Sequence, residues 1–320
     1  MHDDLPPPHL RPVGDVRLPL EEPFTLAQAR ERGVSAKVLR RLVRDGLLRR
    51  PLPGVYVDSA ADDDTLMRCR ALSLVVAPTA IVTGETAAWV HGADARPPGE
   101  HIIPPPLSVH QLPGHTRVRK AGCRGGERTL AAHDIEVVHG VRLTTPLRTA
   151  LDLGRLTPRD RAIGALDALL RLDRFAPQEL LGEVERFKGF RGVVQLRELA
   201  PLADGRAESP GESVLRLRWL DAGDLPRPAV QIPVLTAWGT ERYRLDLGVP
   251  ELMFGCEYDG WDWHSSPQAR ARDRERRAWL RRQGWTIVVL TKHEVYGAQR
   301  HRATEIIRAE LRSLGWRGRP

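Results

Sequence analysis

From Phe24 to Val57 the chain reads FTLAQARERGVSAKVLRRLVRDGLLRRPLPGVYV, and its apolar positions first keep helical steps and then turn extended. Thr25 is placed to cap a first helix, with Gln28 three residues on to close a capping box, and Gly33 to stop it. Ser35 then caps a second helix, whose Val38, Leu39, Leu42 and Val43 form one stripe, and Gly46 ends it. Two short extended runs around a Pro-Gly turn follow. Helix, tight turn, helix and β-wing predict a winged helix-turn-helix over residues 23–58. Residues 1–22, Pro-rich and aperiodic, predict a disordered or loosely packed tail.

Beyond it the pattern is mixed up to residue 205. DDDTLMRCRALSLVVAP, TGETAAWVHG (with Thr83 as cap), PLRTALDLGRL and PRDRAIGALDALLR read as helices. HIIPPPLSVHQLPGHTRVRK and IEVVHGVRLTTP read as short strands with Pro-rich loops, so residues 59–205 predict an α+β middle domain. Six of the eleven histidines lie between His91 and His139, but in separate elements and at no zinc-site spacing. A scaffold or partner surface fits this region better than a catalyst.

Composition shifts at ADGRAESPGES, and seven of the eight tryptophans lie beyond it. A helix, GESVLRLRWLDAG, precedes three extended runs: PAVQIPVLTAW, ERYRLDLGV and LMFGCEYDG. An Arg-rich helix, a short apolar strand WTIVVLT and a closing helix complete residues 206–320, an α/β core with a mixed sheet. Strand alternation puts Arg242, Arg244 and Asp246 on one face, and Met253, Gly255, Glu257 and Asp259 on one face of the next strand. Leu245, Leu247, Phe254, Cys256 and Tyr258 are left for the core side. A turn centred on VPEL would bring Asp246 across from Glu257. Two such carboxylates repel unless a cation sits between them, and oxygen ligation suits Mg2+ or Mn2+. Glu212, from the preceding helix, is in place to complete the ligand set.

The 320-residue chain carries a net charge of +8, almost all of its cations arginine. An arginine bias is also what a GC-rich genome imposes, so clustering has to decide whether a polyanion is the partner. It does: eight cations between Phe24 and Val57 face only Glu31 and Asp45, leaving +6 there. Lys37, Arg40, Arg41 and Arg44 on the second helix, with Arg49 and Arg50 on the wing, are placed to neutralise DNA phosphates. Three widely spaced cysteines fit neither a disulfide framework nor a zinc site. The longest apolar stretch is too short and too interrupted to span a bilayer, and the N-terminus has no signal pattern, which predicts a cytoplasmic protein without a membrane partner.

GVSAKVLRRLVRDGLLRRPLPGVYV resembles the N-terminal domain of AbiEi-type antitoxins of type IV toxin–antitoxin systems, and GVRLTTPLRTALDL resembles their middle region. The resemblance implies promoter DNA as ligand and a cognate toxin or defence-system partner. The last third resembles PD-(D/E)XK nucleases: a helical Glu, a strand Asp, then a Glu on the neighbouring strand. RLDLG, CEYDGWDWH and ARDRERRAWLRRQGWTIVVL are closer still to the very-short-patch-repair endonuclease branch and to short endonuclease-like domains with an E-x-D-G-x-x-x-H signature. This resemblance, over residues 208–311, implies Asp246, Glu257, Asp259 and His264 as catalytic positions and Mg2+ or Mn2+ held by Glu212, Asp246 and Glu257.

One departure stands out. The lysine expected two residues after Glu257 is Asp259, which cannot stabilise charge on a phosphate as an ammonium does. The repair-endonuclease branch also lacks that lysine and uses histidine, so the resemblance implies His264 as general base or water-positioner, with Lys292 and His293 also just past the last strand. Arg270, Arg272, Arg274, Arg276 and Arg277 give the following helix a phosphate-facing surface. An active metal-dependent nuclease and an antitoxin-type regulator with a non-cutting nuclease fold both satisfy the sequence.

Overall fold

The computed structural model describes residues 12–13, 16–18, 22–96, 106–115, 123–260 and 267–318. They fall in two compact units, 1–93 with 100–152 and 94–99 with 153–320. The first begins with a hairpin, β1 (Pro12–Val13) and β2 (Val16–Arg17), followed by β3 (Phe24–Thr25), α1 (Leu26–Glu31), α2 (Ala36–Arg44), β4 (Leu48–Leu52) and β5 (Val55–Asp58). Local capping explains the helix starts. Gln28 N–H donates to Thr25 Oγ1 at 3.3 Å while Thr25 N–H donates to Gln28 Oε1 at 2.8 Å, and Val38 N–H donates to Ser35 Oγ at 3.4 Å. The wing turns at Gly54, whose φ of +81° suits a residue without Cβ. The strands order β3-β5-β4 beneath a core of Phe24, Ala29, Val34, Leu39, Leu42, Leu48 and Tyr56. Leu18, in the stretch expected to be a loose tail, is fully buried in that core; burying a leucine there offsets the entropy of ordering its neighbours.

The same unit contains α3 (Thr65–Ser73), β6 (Ile81–Val82), α4 (Gly84–His91), β7 (Leu107–Gln111), β8 (Cys123–Glu127), β9 (Ile135–Val138), β10 (Val141–Thr144) and the start of α5 (Pro146–Leu156). Its sheet runs β8-β7-β6-β10-β9 over a core that includes Leu72, Val82, Trp89, Val109 and Leu143. Thr83 occupies the N-cap of α4, but its hydroxyl is on His110 Nδ1 at 2.8 Å rather than on the helix. His91 is held equally firmly, Nε2 lying 2.8 Å from the Thr144 carbonyl.

The second unit consists of α6 (Arg159–Leu170), α7 (Pro177–Glu183), α8 (Val193–Leu199), α9 (Pro210–Asp221), β11 (Ala229–Leu235), β12 (Glu241–Val249), β13 (Phe254–Asp259), α10 (Pro267–Arg282), β14 (Thr286–Thr291), α11 (Lys292–Val295) and α12 (His301–Ser313). Its sheet, β11-β12-β13-β14, is antiparallel up to β13 and parallel between β13 and β14, hence mixed. Trp219 of α9 packs on Phe254 at 5.9 Å, whereas Leu280 of α10 and Trp285 pack with Ile232, Val234 and Leu245. Leu245 and Phe254 thus serve different clusters, which an unbroken alternation does not predict. The physical reason lies opposite Asp246: Gln231 has a φ of +55° between the pairs Val230↔Leu247 and Ile232↔Leu245, and such a residue twists the ladder locally.

Ion pairs tie α9 to α6. Arg216 Nη2 lies 2.6 Å from Asp167 Oδ2, Arg218 pairs with Asp160, and Arg159 grips Asp221 at 2.5 and 2.8 Å. The stretch where composition shifts is also docked, with Arg171 donating to the Ala207 carbonyl and Arg216 to that of Leu202. Among the described residues no helix is long and apolar enough to cross a membrane.

Candidate active site

The turn Pro250–Leu252 pairs Leu247 with Cys256 and Gly248 with Gly255, so the next step back sets Asp246 level with Glu257. Tyr258 N–H donates to Asp246 Oδ2 at 2.8 Å and fixes that carboxylate against β13. Glu257 is 6% exposed. The first turn of α9 reaches the same place because Gly211 lacks a Cβ; one there would stand 2.0 Å from the Tyr258 ring.

The three acids are electrostatically coupled. Burial, then Glu212 and Glu257, push the Asp246 carboxyl up to about 7, against the opposing pull of the Tyr258 N–H and Arg276. Burial also raises Glu257, offset by Arg276 and Arg277, and raises Glu212. Their surroundings differ. Glu212 accepts from Glu208 N–H, Ser209 Oγ and Gln231 Nε2 at 2.8–2.9 Å, so its oxygens are engaged in capping α9 and holding Gln231. Glu257 faces Arg276: Nη1 donates to Oε2 at 2.9 Å, and Nη2 lies 2.5 Å from Oε1 without hydrogen-bond alignment. Oε1 is therefore a buried oxygen with no hydrogen bond.

Glu257 and the second carboxylate beside it are a hard-oxygen donor pair that fits Mg2+, which commonly takes one or two carboxylates and keeps several waters. No group of three or more His, Cys, Asp or Glu among the described residues stands in ligating geometry, so the fit is to Asp246 and Glu257 with Glu212 behind them. Asp259, at the missing lysine's position, has Oδ2 4.0 Å from Arg277 Nη2. Lys292 and His293 follow Thr291, the residue paired with Asp259, and both are exposed. His264 lies outside the described residues.

Arg276 is the residue whose particular place the sequence does not announce. Its position three and four residues before Trp279 and Leu280, in the stripe that packs on the sheet, is the available signal: an arginine there needs a buried acid. Arg270 and Arg274 are exposed on α10, and Arg277 is half-buried.

On the winged helix, Lys37, Arg40, Arg41, Arg44 and Arg50 are exposed. The four on α2 border a concavity with Val38, and Lys37 also borders a second one over the turn between α1 and α2. Arg49 differs. Its Nη2 donates to the Ala61 carbonyl at 3.0 Å and Nη1 lies 3.8 Å from Asp63, so it braces the loop after the wing.

A basic winged helix, a mixed α/β middle region and a nuclease-type sheet with facing acids define the class. Sequence comparison agrees: the profile "AbiEi antitoxin C-terminal domain" matches residues 80–202, "Transcriptional regulator, AbiEi antitoxin" matches 22–57, and REase_MTES_1575, a restriction-endonuclease-like domain, matches 229–317. Two uncharacterized proteins from two strains of Mycobacterium tuberculosis are 37% identical over 254 residues, covering 79% of this chain and 89% of theirs. The chain belongs to one family with these two proteins, and carries AbiEi antitoxin domains ahead of a REase_MTES_1575 restriction-endonuclease-like domain.

Proposed function

We propose that the protein binds DNA through its winged helix and hydrolyses a phosphodiester with its last domain, using Mg2+ or Mn2+. The observation that carries the reading is the buried pair Asp246 and Glu257, level on adjacent strands, whose one neighbouring cation among the contacts described, Arg276, meets Glu257 alone. Such a pair is costly in a protein that has no cation for it. Asp246 and Glu257 would hold the cation, while Glu212 anchors α9 and Gln231 behind them. The cation, when bound, lowers the pKa of a water and stabilises the scissile phosphate. Exposed Arg270 and Arg274 receive flanking phosphates, and His264 is proposed to position the water. Lys37, Arg40, Arg41, Arg44 and Arg50 hold the duplex at the winged helix, with Arg49 bracing the wing.

The test is plasmid incubated with Mg2+ or Mn2+ and the full chain. Asp246→Ala and Glu257→Ala should each slow cleavage roughly 1000-fold or more, a loss of about 4 kcal/mol in transition-state stabilisation. Wild type that leaves plasmid intact, or cleavage undiminished in both variants, sinks the enzyme reading.

A second reading is favoured by Arg276, which already neutralises Glu257 without a metal. On it the chain is an antitoxin-type transcriptional regulator whose nuclease fold binds DNA without cutting. Tight, salt-sensitive binding to its own upstream DNA without cleavage would select that reading. The antitoxin domains support a protein toxin as a further partner, tested by co-purification with the product of an adjacent gene.

A further inference from the structure

The lysine absent from β13 has a counterpart in space on α10. We propose that Arg276 is a catalytic residue of the nuclease, presenting beside Glu257 the phosphate-facing cation that Asp259 cannot supply. The inference rests on the nuclease reading above.

Three contacts fix the guanidinium. It grips Glu257, donates through Nη2 to the Arg244 carbonyl at 2.7 Å, and lies 5.6 Å from the centroid of Tyr243, whose ring is braced by Trp279 at 5.3 Å. Two of the five guanidinium N–H groups donate, one on each Nη, the Nη2 approach to Glu257 Oε1 being unaligned, and the others have no hydrogen-bond acceptor among the described residues. The Arg276 side chain is 27% exposed, against 5% for Arg148 and Arg216, whose guanidinium groups are enclosed by their acids. An arginine seated on a candidate metal ligand, yet open to solvent with donors to spare, is placed for a third party. A phosphate oxygen fits it: the planar fork matches phosphate, and a fixed cation at the point where charge develops needs no reorganisation during the reaction.

Arginine stays protonated, which confines the role. As the water oxygen forms its bond to phosphorus and the bond to the leaving deoxyribose oxygen breaks, Arg276 stabilises the added charge on the non-bridging oxygens. It exchanges no proton. The proton of the attacking water goes to a base elsewhere, and the leaving oxygen takes one from solvent.

The experiment compares full-length wild type, Arg276→Gln and Arg276→Lys by single-turnover plasmid cleavage in Mg2+, by Mn2+ titration calorimetry without DNA, and by thermal melting. Arg276→Gln should cut roughly 100-fold more slowly, the scale of losing one oxyanion-type donor, and Arg276→Lys should return to within about tenfold of wild type. Neither variant should bind Mn2+ more weakly than wild type, and Arg276→Gln should bind it as tightly or more tightly, since a cation is removed from beside Glu257. Wild-type rates in Arg276→Gln, no rescue by lysine, or a Mn2+ affinity lowered more than about tenfold would each overturn the inference while wild type still cuts. A wild type that does not cut removes the nuclease reading itself, and this inference with it.

Discussion

Arg148 and Arg276 both stand against buried carboxylates, and the company they keep separates two uses of the same pairing. In the five-stranded unit, Arg148 Nη1 lies 2.5 Å from Asp134 and Nε 3.1 Å from Asp152, while Arg128 adds a second cation to Asp152 at 2.8 Å. Two acids meet two arginines, and Arg148 Nη2 also donates to the Thr129 carbonyl. In the nuclease-type sheet, Glu212, Asp246 and Glu257 are coupled with Arg276 as their principal cation, and Glu257 Oε1 lacks a hydrogen bond. A balanced cluster is cement. An acid excess held in a buried place keeps a standing demand for positive charge, which is the mark of a site.

The same truncation in both places should therefore give different answers. Arg148→Ala leaves two buried aspartates with one arginine and should cost about 3–5 kcal/mol in urea denaturation of the full chain. Arg276→Ala should cost less, about 1–2 kcal/mol, because Glu257, already raised by burial, takes up a proton when the cation goes. Equal losses would dissolve the distinction.

Acidity sharpens it further. Asp246 is raised to about 7, so the fold favours its neutral form: the metal-free protein is most stable where that carboxyl is protonated, and loses stability as pH rises from about 4 through about 7. Asp246→Asn should accordingly stabilise the metal-free chain at pH 8 by on the order of 3 kcal/mol, with the gain gone near pH 4. A flat difference across that range would refute the coupling. In the other unit, His110 is held down at about 4 by burial and Arg128, so acidification from about 6.5 towards 4 should destabilise that unit, the opposite sign.

Arg40 and Arg41 represent a third kind of arginine, exposed and facing no acid among the described contacts. Arg40→Ala with Arg41→Ala should leave the melting temperature unchanged, weaken DNA binding about tenfold and lower the salt slope by about 2. No loss in the double variant would count against the winged helix as the DNA-binding face.

What could be read in advance follows the range of the forces. The winged helix was legible because its stops and starts are three residues wide: Thr25 with Gln28, Ser35 with Val38, Gly54 in the turn. The facing of Asp246 and Glu257 was legible because a short turn fixes the register of a hairpin. The Gln231 kink was not, since a positive φ on a glutamine goes with a bond to Glu212 nineteen residues away. Nor was the Arg276 seat, nineteen residues beyond Glu257 and assembled from Arg244 and Tyr243. Long-range pairing leaves a trace only as a charged residue in an apolar stripe, and that trace names no partner.

Helix α9 bears one further consequence. Its first turn stands at the acids, while Arg216, Arg218 and Asp221 along its body are answered by Asp167, Asp160 and Arg159 of α6, inside the antitoxin-type region. A recombination that carried off residues 206–320 alone would strip three charges of their counter-ions, two of them buried. The nuclease-type sheet is thus no free cassette: in inheritance and in engineering alike, it should travel with the helix before it, and a viable hybrid joins upstream of Arg159.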